Sequence, residues 1–136
     1  MQNTSLVTDY LRRCNHRLAA IDVLYERESW PDVVRECQEV VELALKALLR
    51  HARVEVPRIH DVSAVLHQER GRIAVGALPH LDRLAEVSRS LRRDRELAFY
   101  GSEDLTPSDF YKPADALQAR EDAQWLVGVV LAAVAD

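Results

Sequence analysis

The stretch from Val33 to Leu49 constrains this chain more than any other part of it. Val34, Cys37, Val41, Ala44 and Leu48 recur at steps of three and four, so on a helix they stack along one stripe. Val33, Val40, Leu45 and Leu49 widen that stripe beyond what one neighbouring helix covers. A helix apolar over so much of its circumference is the central member of a bundle, and the rest of the chain must supply what surrounds it. Four glycines and five prolines in 136 residues are too few to punctuate a many-stranded sheet. The expected fold is all-α, an up-and-down bundle of four to five helices forming one domain over residues 1–136.

The flanks read in the same way. Val7, Leu11, Cys14, Leu18, Ile21 and Tyr25 form a stripe that predicts a first helix from about Leu6 to Arg27. Ser29, Trp30, Pro31 and Asp32 match a capping box with proline in the first turn, so the second helix starts at once and makes an antiparallel hairpin with the first. Asp61 is a good N-cap for a short third helix that Gly71 would end. Pro79 can start a longer fourth helix carrying Leu81, Leu84, Val87, Leu91 and Ala98, which Gly101 stops. The connection Ser102 to Lys112 is long for a bundle, so it is either functional or packed as a cover. A last helix from about Pro113 carries Ala116, Ala119, Ala123, Val127, Val130 and Val134. Its apolar end, Leu126 to Val134, must be buried within the fold or against a second subunit.

Composition then narrows the function classes. The chain is 48% hydrophobic and 29% charged, which suits a globular domain, and no apolar run approaches the roughly 18 residues of a membrane span. Met1 to Thr8 lacks a secretory pattern, and Cys14 and Cys37 both sit in helix-like stripes, so a cytoplasmic location is expected. The net charge of -4 argues against bulk binding of duplex nucleic acid and leaves room for a local basic site. Histidines at 16, 51, 60, 67 and 80 give no pair three or four apart, so no helical metal pair can be written and no metal or cofactor is expected. Gly71 to Gly76 has the glycine spacing of a phosphate loop, but Ala77 and Leu78 stand where lysine and a hydroxyl are needed. No nucleophile elbow appears, and neither cysteine has a histidine in a catalytic pattern.

What stands out is a reversal of charge. From Arg83 to Arg95 five arginines face two acids, whereas from Glu96 to Asp122 seven acids face Lys112 and Arg120. On a helix Arg92 and Arg95 share a face, as do Arg89 and Arg93, and Tyr100 follows Arg95 by a little over one turn. Two guanidinium groups near a phenol suit a phosphate or a stacked base. The plainer alternative pairs these arginines with Glu96, Glu103 and Asp104 on a solvated surface. Lys46, one of two lysines, stands four residues after Glu42, an ordinary helix-surface ion pair set among apolar neighbours. His60, just before Asp61, suits a loop closure better than a ligand.

Gln38-Glu39-Val40-Val41-Glu42-Leu43-Ala44-Leu45-Lys46-Ala47-Leu48-Leu49 resembles the signature helix of HEPN domains, the higher eukaryote and prokaryote nucleotide-binding family. Pro57-Arg58-Ile59-His60-Asp61-Val62 follows it in the family's order. Arg95-Glu96-Leu97-Ala98-Phe99-Tyr100-Gly101, then Pro107, Tyr111 and Ala114-Asp115-Ala116, resemble the family's C-terminal half. The resemblance implies a homodimeric helical bundle, often encoded beside a minimal nucleotidyltransferase in toxin–antitoxin-like pairs. It also implies, for many members, metal-independent RNase activity from an arginine followed four to six residues later by histidine, with both subunits contributing. Here Arg95 fits the arginine, Tyr100 stands at the nearest histidine place, and no histidine follows His80. A tyrosine with pKa near 10 does not replace imidazole as acid or base at neutral pH. In some family toxins a tyrosine two places beyond the histidine is adenylylated by the transferase, and that place is Ser102 here.

No catalytic residue is therefore assigned, and the ligand-binding candidates are Arg92, Arg95, Tyr100 and Lys46. The expected function is a degenerate HEPN module that dimerises and binds a nucleotide, RNA or a nucleotidyltransferase partner. The alternatives are a metal-independent RNase using Arg95 with Tyr100 or His60, and a purely structural docking subunit.

Overall fold

The structure is a computed structural model that describes residues 2–56, 62–102 and 106–135, and their side chains apart from those at 2, 3, 95–97 and 99. Asp61 and His60, proposed as N-cap and loop residue, lie outside the described residues, as do Glu103 and Asp104. Among the described residues there are six α-helices and no strand: α1 Gln2–Glu26, α2 Trp30–His51, α3 Val62–Gln68, α4 Leu81–Tyr100, α5 Pro107–Phe110 and α6 Pro113–Ala135. The all-α bundle read from the sequence is the fold, with one single-turn helix more than expected.

Helix α2 is its centre. Its stripe and the residues that widen it are all buried, and Leu45, Leu48 and Leu49 have no exposure. That breadth follows from its neighbours, because α1, α4 and α6 all pack against it. On the α1 side the Cys14 thiol donates to the Val40 carbonyl at 3.6 Å and Arg17 pairs with Glu36 at 3.0 Å, which sets the antiparallel hairpin. On the far side α6 lays Ala116, Ala119, Ala123, Val127 and Val130 inward, small side chains that let the two backbones approach. Arg120 of α6 crosses to Asp22 of α1 at 2.6 Å and stacks over the Tyr25 ring at 4.7 Å. The apolar end of α6 is half absorbed by the fold: Leu126, Val127, Val130 and Ala133 are buried, while Gly128, Leu131 and Ala132 face outward.

Three local expectations are corrected. The capping box at Ser29 does not cap in the usual way, because the Ser29 amide closes α1 onto the Leu24 carbonyl and its hydroxyl donates to Asp32 at 2.6 Å. Gly71 does not end α3, which stops at Gln68, and instead sits in a 3-10 turn at Arg70–Arg72. Pro79 does not open α4; it lies inside a second 3-10 segment, Val75–His80, and α4 starts at Leu81. Gly76 lies in the same segment, where a Cβ would come within 3.2 Å of the Ala133 Cα, so glycine is what lets this segment lie on α6. Gly101, with φ of 81°, ends α4 as its position suggests.

Candidate functional site

Helix α4 positions the basic residues. Leu84, Val87, Leu91 and Ala98 are buried toward the core, so the opposite face, carrying Arg89, Arg92 and Arg93, is exposed. The next arginine toward the start of the helix serves the fold: Arg83 pairs with Asp122 of α6 at 3.2 Å and lies over the Trp125 ring at 4.8 Å. Arg93 donates to the Ser90 hydroxyl at 3.3 Å. Tyr100 closes the helix at 73% exposure, a large aromatic ring held in water at the end of the basic face. At about 100° per residue, Tyr100 falls within about 20° of the line through Arg89 and Arg93, and farther from Arg92. Arg95 belongs to the same helix by its backbone, while its side chain lies outside the described residues.

After α4 and Ser102 the described residues resume at Thr106, and from there to Tyr111 they pack against α4. Thr106 caps α5, its hydroxyl accepting the Asp109 amide and donating to the Asp109 carboxylate at 2.9 Å. Tyr111 follows, 3% exposed, and donates to the Asp94 backbone carbonyl at 3.2 Å. A cleft of about 210 Å³ opens beside it, with Asp94, Asp115 and Asp122 on its walls and Leu91 and Phe110 among its apolar lining. Burial pushes the Asp94 carboxyl up, against the opposing pull of Arg93 and the Tyr111 hydroxyl. The Tyr111 phenol is also pushed up, by burial first and by the Asp94 charge second. From Arg89 to Asp94 the two sides of α4 therefore differ in sign, with Arg89, Arg92 and Arg93 outward and the Asp94 carboxyl in the cleft beside Asp115 and Asp122.

Lys46 is placed elsewhere. It pairs with Glu42 at 3.3 Å, as the spacing predicts, and lines a pocket of about 200 Å³ between α1 and α2 with Arg13, Arg17, Glu39 and Leu43. No residue of α4 lines that pocket, so the structure does not join Lys46 to Arg92 and Tyr100. Gln38 donates to the second oxygen of Glu42 at 2.9 Å, while its own buried carbonyl oxygen meets no donor among the described residues. Sequence reasoning missed Arg13 and Arg17 as neighbours of Lys46. The signal was present in their four-residue spacing, but only the hairpin register brings them opposite.

The family model described as HEPN domain matches residues 7–132, nearly the whole chain. The chain belongs to the HEPN domain family. No curated protein and no solved structure matches it. The last histidine of the sequence, His80, precedes α4 and stacks edge-on against Trp125 at 5.7 Å between centroids. Among the described residues no three histidine, cysteine, aspartate or glutamate side chains gather as a metal site, and no helix is long and apolar enough to cross a membrane.

Proposed function

We propose that this HEPN domain is a binding module whose exposed arginine face on α4, ending at Tyr100, receives the phosphates and a base of a nucleotide or single-stranded RNA without cleaving it. The observation that carries this reading is the pairing of an outward Arg89, Arg92 and Arg93 with a Tyr100 that is 73% exposed, on a helix after which the sequence holds no histidine. Guanidinium groups bind phosphate as forks and keep their charge at every physiological pH. An exposed phenol offers a stacking face, worth about 1–3 kcal/mol per base on such platforms. The sequence of α4 itself contains no histidine, the side chain whose pKa suits proton transfer near neutrality. The module belongs with a toxin–antitoxin-like pair, acting as a homodimer and serving a nucleotidyltransferase partner that meets the same face.

The test is a titration of AMP, ATP and short single-stranded RNA against the purified protein, its mass followed by light scattering. Binding that weakens in Arg92→Ala with Arg93→Ala, with a shallower dependence on salt, and weakens again in Tyr100→Ala supports the reading. Affinity unchanged in both variants contradicts it, and no binding to any of these probes leaves the α4 face to protein docking alone.

A further inference from the structure

The cleft beside Tyr111 and the arginine face of α4 share a rim. Ser90 lines the cleft and its hydroxyl accepts from the Arg93 guanidinium at 3.3 Å, so a cation stands at the edge of a hollow whose walls carry acids. Among the described residues no carboxylate pairs with Arg93, or with Arg89 one turn before it. Inside, the three carboxylates are not equivalent. Asp122 holds Arg83 at 3.2 Å and Gln118 at 3.0 Å, and Asp115 accepts the Lys112 amide at 2.8 Å, so both serve the fold. Asp94 lines the cleft with no cation paired to its carboxylate among the described residues. Burial pushes that carboxyl up, and donors that bind its charged form would recover part of the cost. Phe110 lines the same cleft at 43% exposure, its ring edge-on to Tyr111 at 5.0 Å and open to water.

This pattern of charge selects a ligand. A lysine or arginine side chain suits the acids but meets Arg93 at the rim, whereas a nucleotide sets its phosphate on Arg93 and Arg89 and its base inside. In another protein a cavity of about 150 Å³ takes a benzene ring, so the volume of about 210 Å³ here is in the range of a fused purine. The acceptor then chooses among the bases, because a carboxylate has two accepting oxygens and no donor. Guanine presents two adjacent donors, N1–H and the 2-amino group. Adenine and cytosine set an acceptor nitrogen beside their amino group, and uracil flanks its N–H with two carbonyls. We infer that the cleft is a base subsite selective for guanine, with Asp94 accepting from N1–H and the 2-amino group, Phe110 stacking on the ring and Arg93 holding the phosphate. The inference rests on the binding role proposed for the α4 face and adds to it a preference for one base.

The experiment is a titration of the full chain with the 5′-monophosphates of guanosine, inosine, xanthosine, adenosine, cytidine and uridine, which share the phosphate and differ in the base. The guanosine compound is expected to bind about tenfold or more tighter than the adenosine, cytidine and uridine compounds, the order of discrimination of a matched bidentate contact. The inosine compound, which lacks the 2-amino group, should fall between. Asp94→Asn turns one accepting oxygen into a donor, so it should lose the guanine preference and gain affinity for the xanthosine compound, whose 2-carbonyl accepts. Arg93→Ala should weaken every nucleotide and keep their order. Far-UV circular dichroism confirms that the variants fold. Equal affinity for every base, or a guanine preference that survives Asp94→Asn, overturns the inference and leaves the binding role of the α4 face standing. Failure of every nucleotide to bind overturns both, and binding of arginine amide in their place makes the cleft a seat for a cationic side chain.

Discussion

Two residues carry backbone that glycine would hold more easily. Glu28 and Arg53 each have φ of 60°, and both follow a helix in the same way. The Ser29 amide bonds the Leu24 carbonyl and the Val54 amide bonds the Leu49 carbonyl, so each is the left-handed residue of a Schellman closure. A side chain there is strained by about 1–2 kcal/mol, partly offset by its smaller freedom when unfolded. Glu28→Gly and Arg53→Gly are each expected to raise stability by about 0.5–1 kcal/mol in urea unfolding. At the opposite extreme of exposure, Cys14 and Cys37 are wholly buried, and burial pushes their thiols from an ordinary 9.0 up to about 11 and about 12. Their raised values favour the neutral thiol in the folded state, so this contribution is complete below pH 9 and declines as pH rises toward 12. The native protein should resist a thiol reagent at pH 8 and react with two equivalents only after unfolding. Modification of the folded protein at the rate of a free thiol would show that α1 and α2 separate readily.

At the level of elements, glycine again divides the fold from the surface. Gly76 lets the 3-10 segment before α4 rest on α6, where an added Cβ would meet the Ala133 Cα at 3.2 Å. Gly128 faces outward from the middle of α6 and its added Cβ would meet nothing within 4 Å. Gly76→Ala should therefore destabilise by about 1–3 kcal/mol and Gly128→Ala should stabilise by about 0.5–1 kcal/mol, opposite signs for one substitution in thermal unfolding. The same contrast explains what was legible in the sequence. The long helices declared themselves because buried stripes such as Val34 to Leu48 repeat many times and cannot be satisfied otherwise. Ends were harder to read. The stop of α1 at Glu26 has no glycine to mark it, and the start of α4 was drawn to Pro79 because a 3-10 turn accepts proline as readily as a first α-turn does. The Thr106-to-Asp109 cap repeats the Ser29-to-Asp32 pattern, yet only the former delivers its hydroxyl to a backbone amide. The candidate site was half legible: the arginines of α4 were found by charge, whereas Arg13 and Arg17 needed the hairpin register to meet Lys46.

Across the whole molecule, one buried helix serves two outer surfaces. The α4 face carries Arg89, Arg92 and Arg93 and ends in an exposed tyrosine, while the α1–α2 hairpin carries the pocket that Lys46 lines with Arg13, Arg17 and Glu39. Because α2 packs against both α1 and α4, Leu48→Ala, with the side chain fully buried, should cost about 2–5 kcal/mol and weaken both surfaces together. Substitutions on either surface should leave the other unchanged. The binding role proposed for the α4 face makes single-stranded RNA the ligand to try first, and under that proposal the RNA stays intact. The most direct measurement is therefore a labelled single-stranded RNA held at saturation with the protein, its bound fraction and its length read from the same sample. Bound RNA of full length over hours is expected, with binding weakened in Arg92→Ala with Arg93→Ala. Fragments that appear with wild-type protein and vanish with Arg95→Ala would contradict it and make this domain a nuclease.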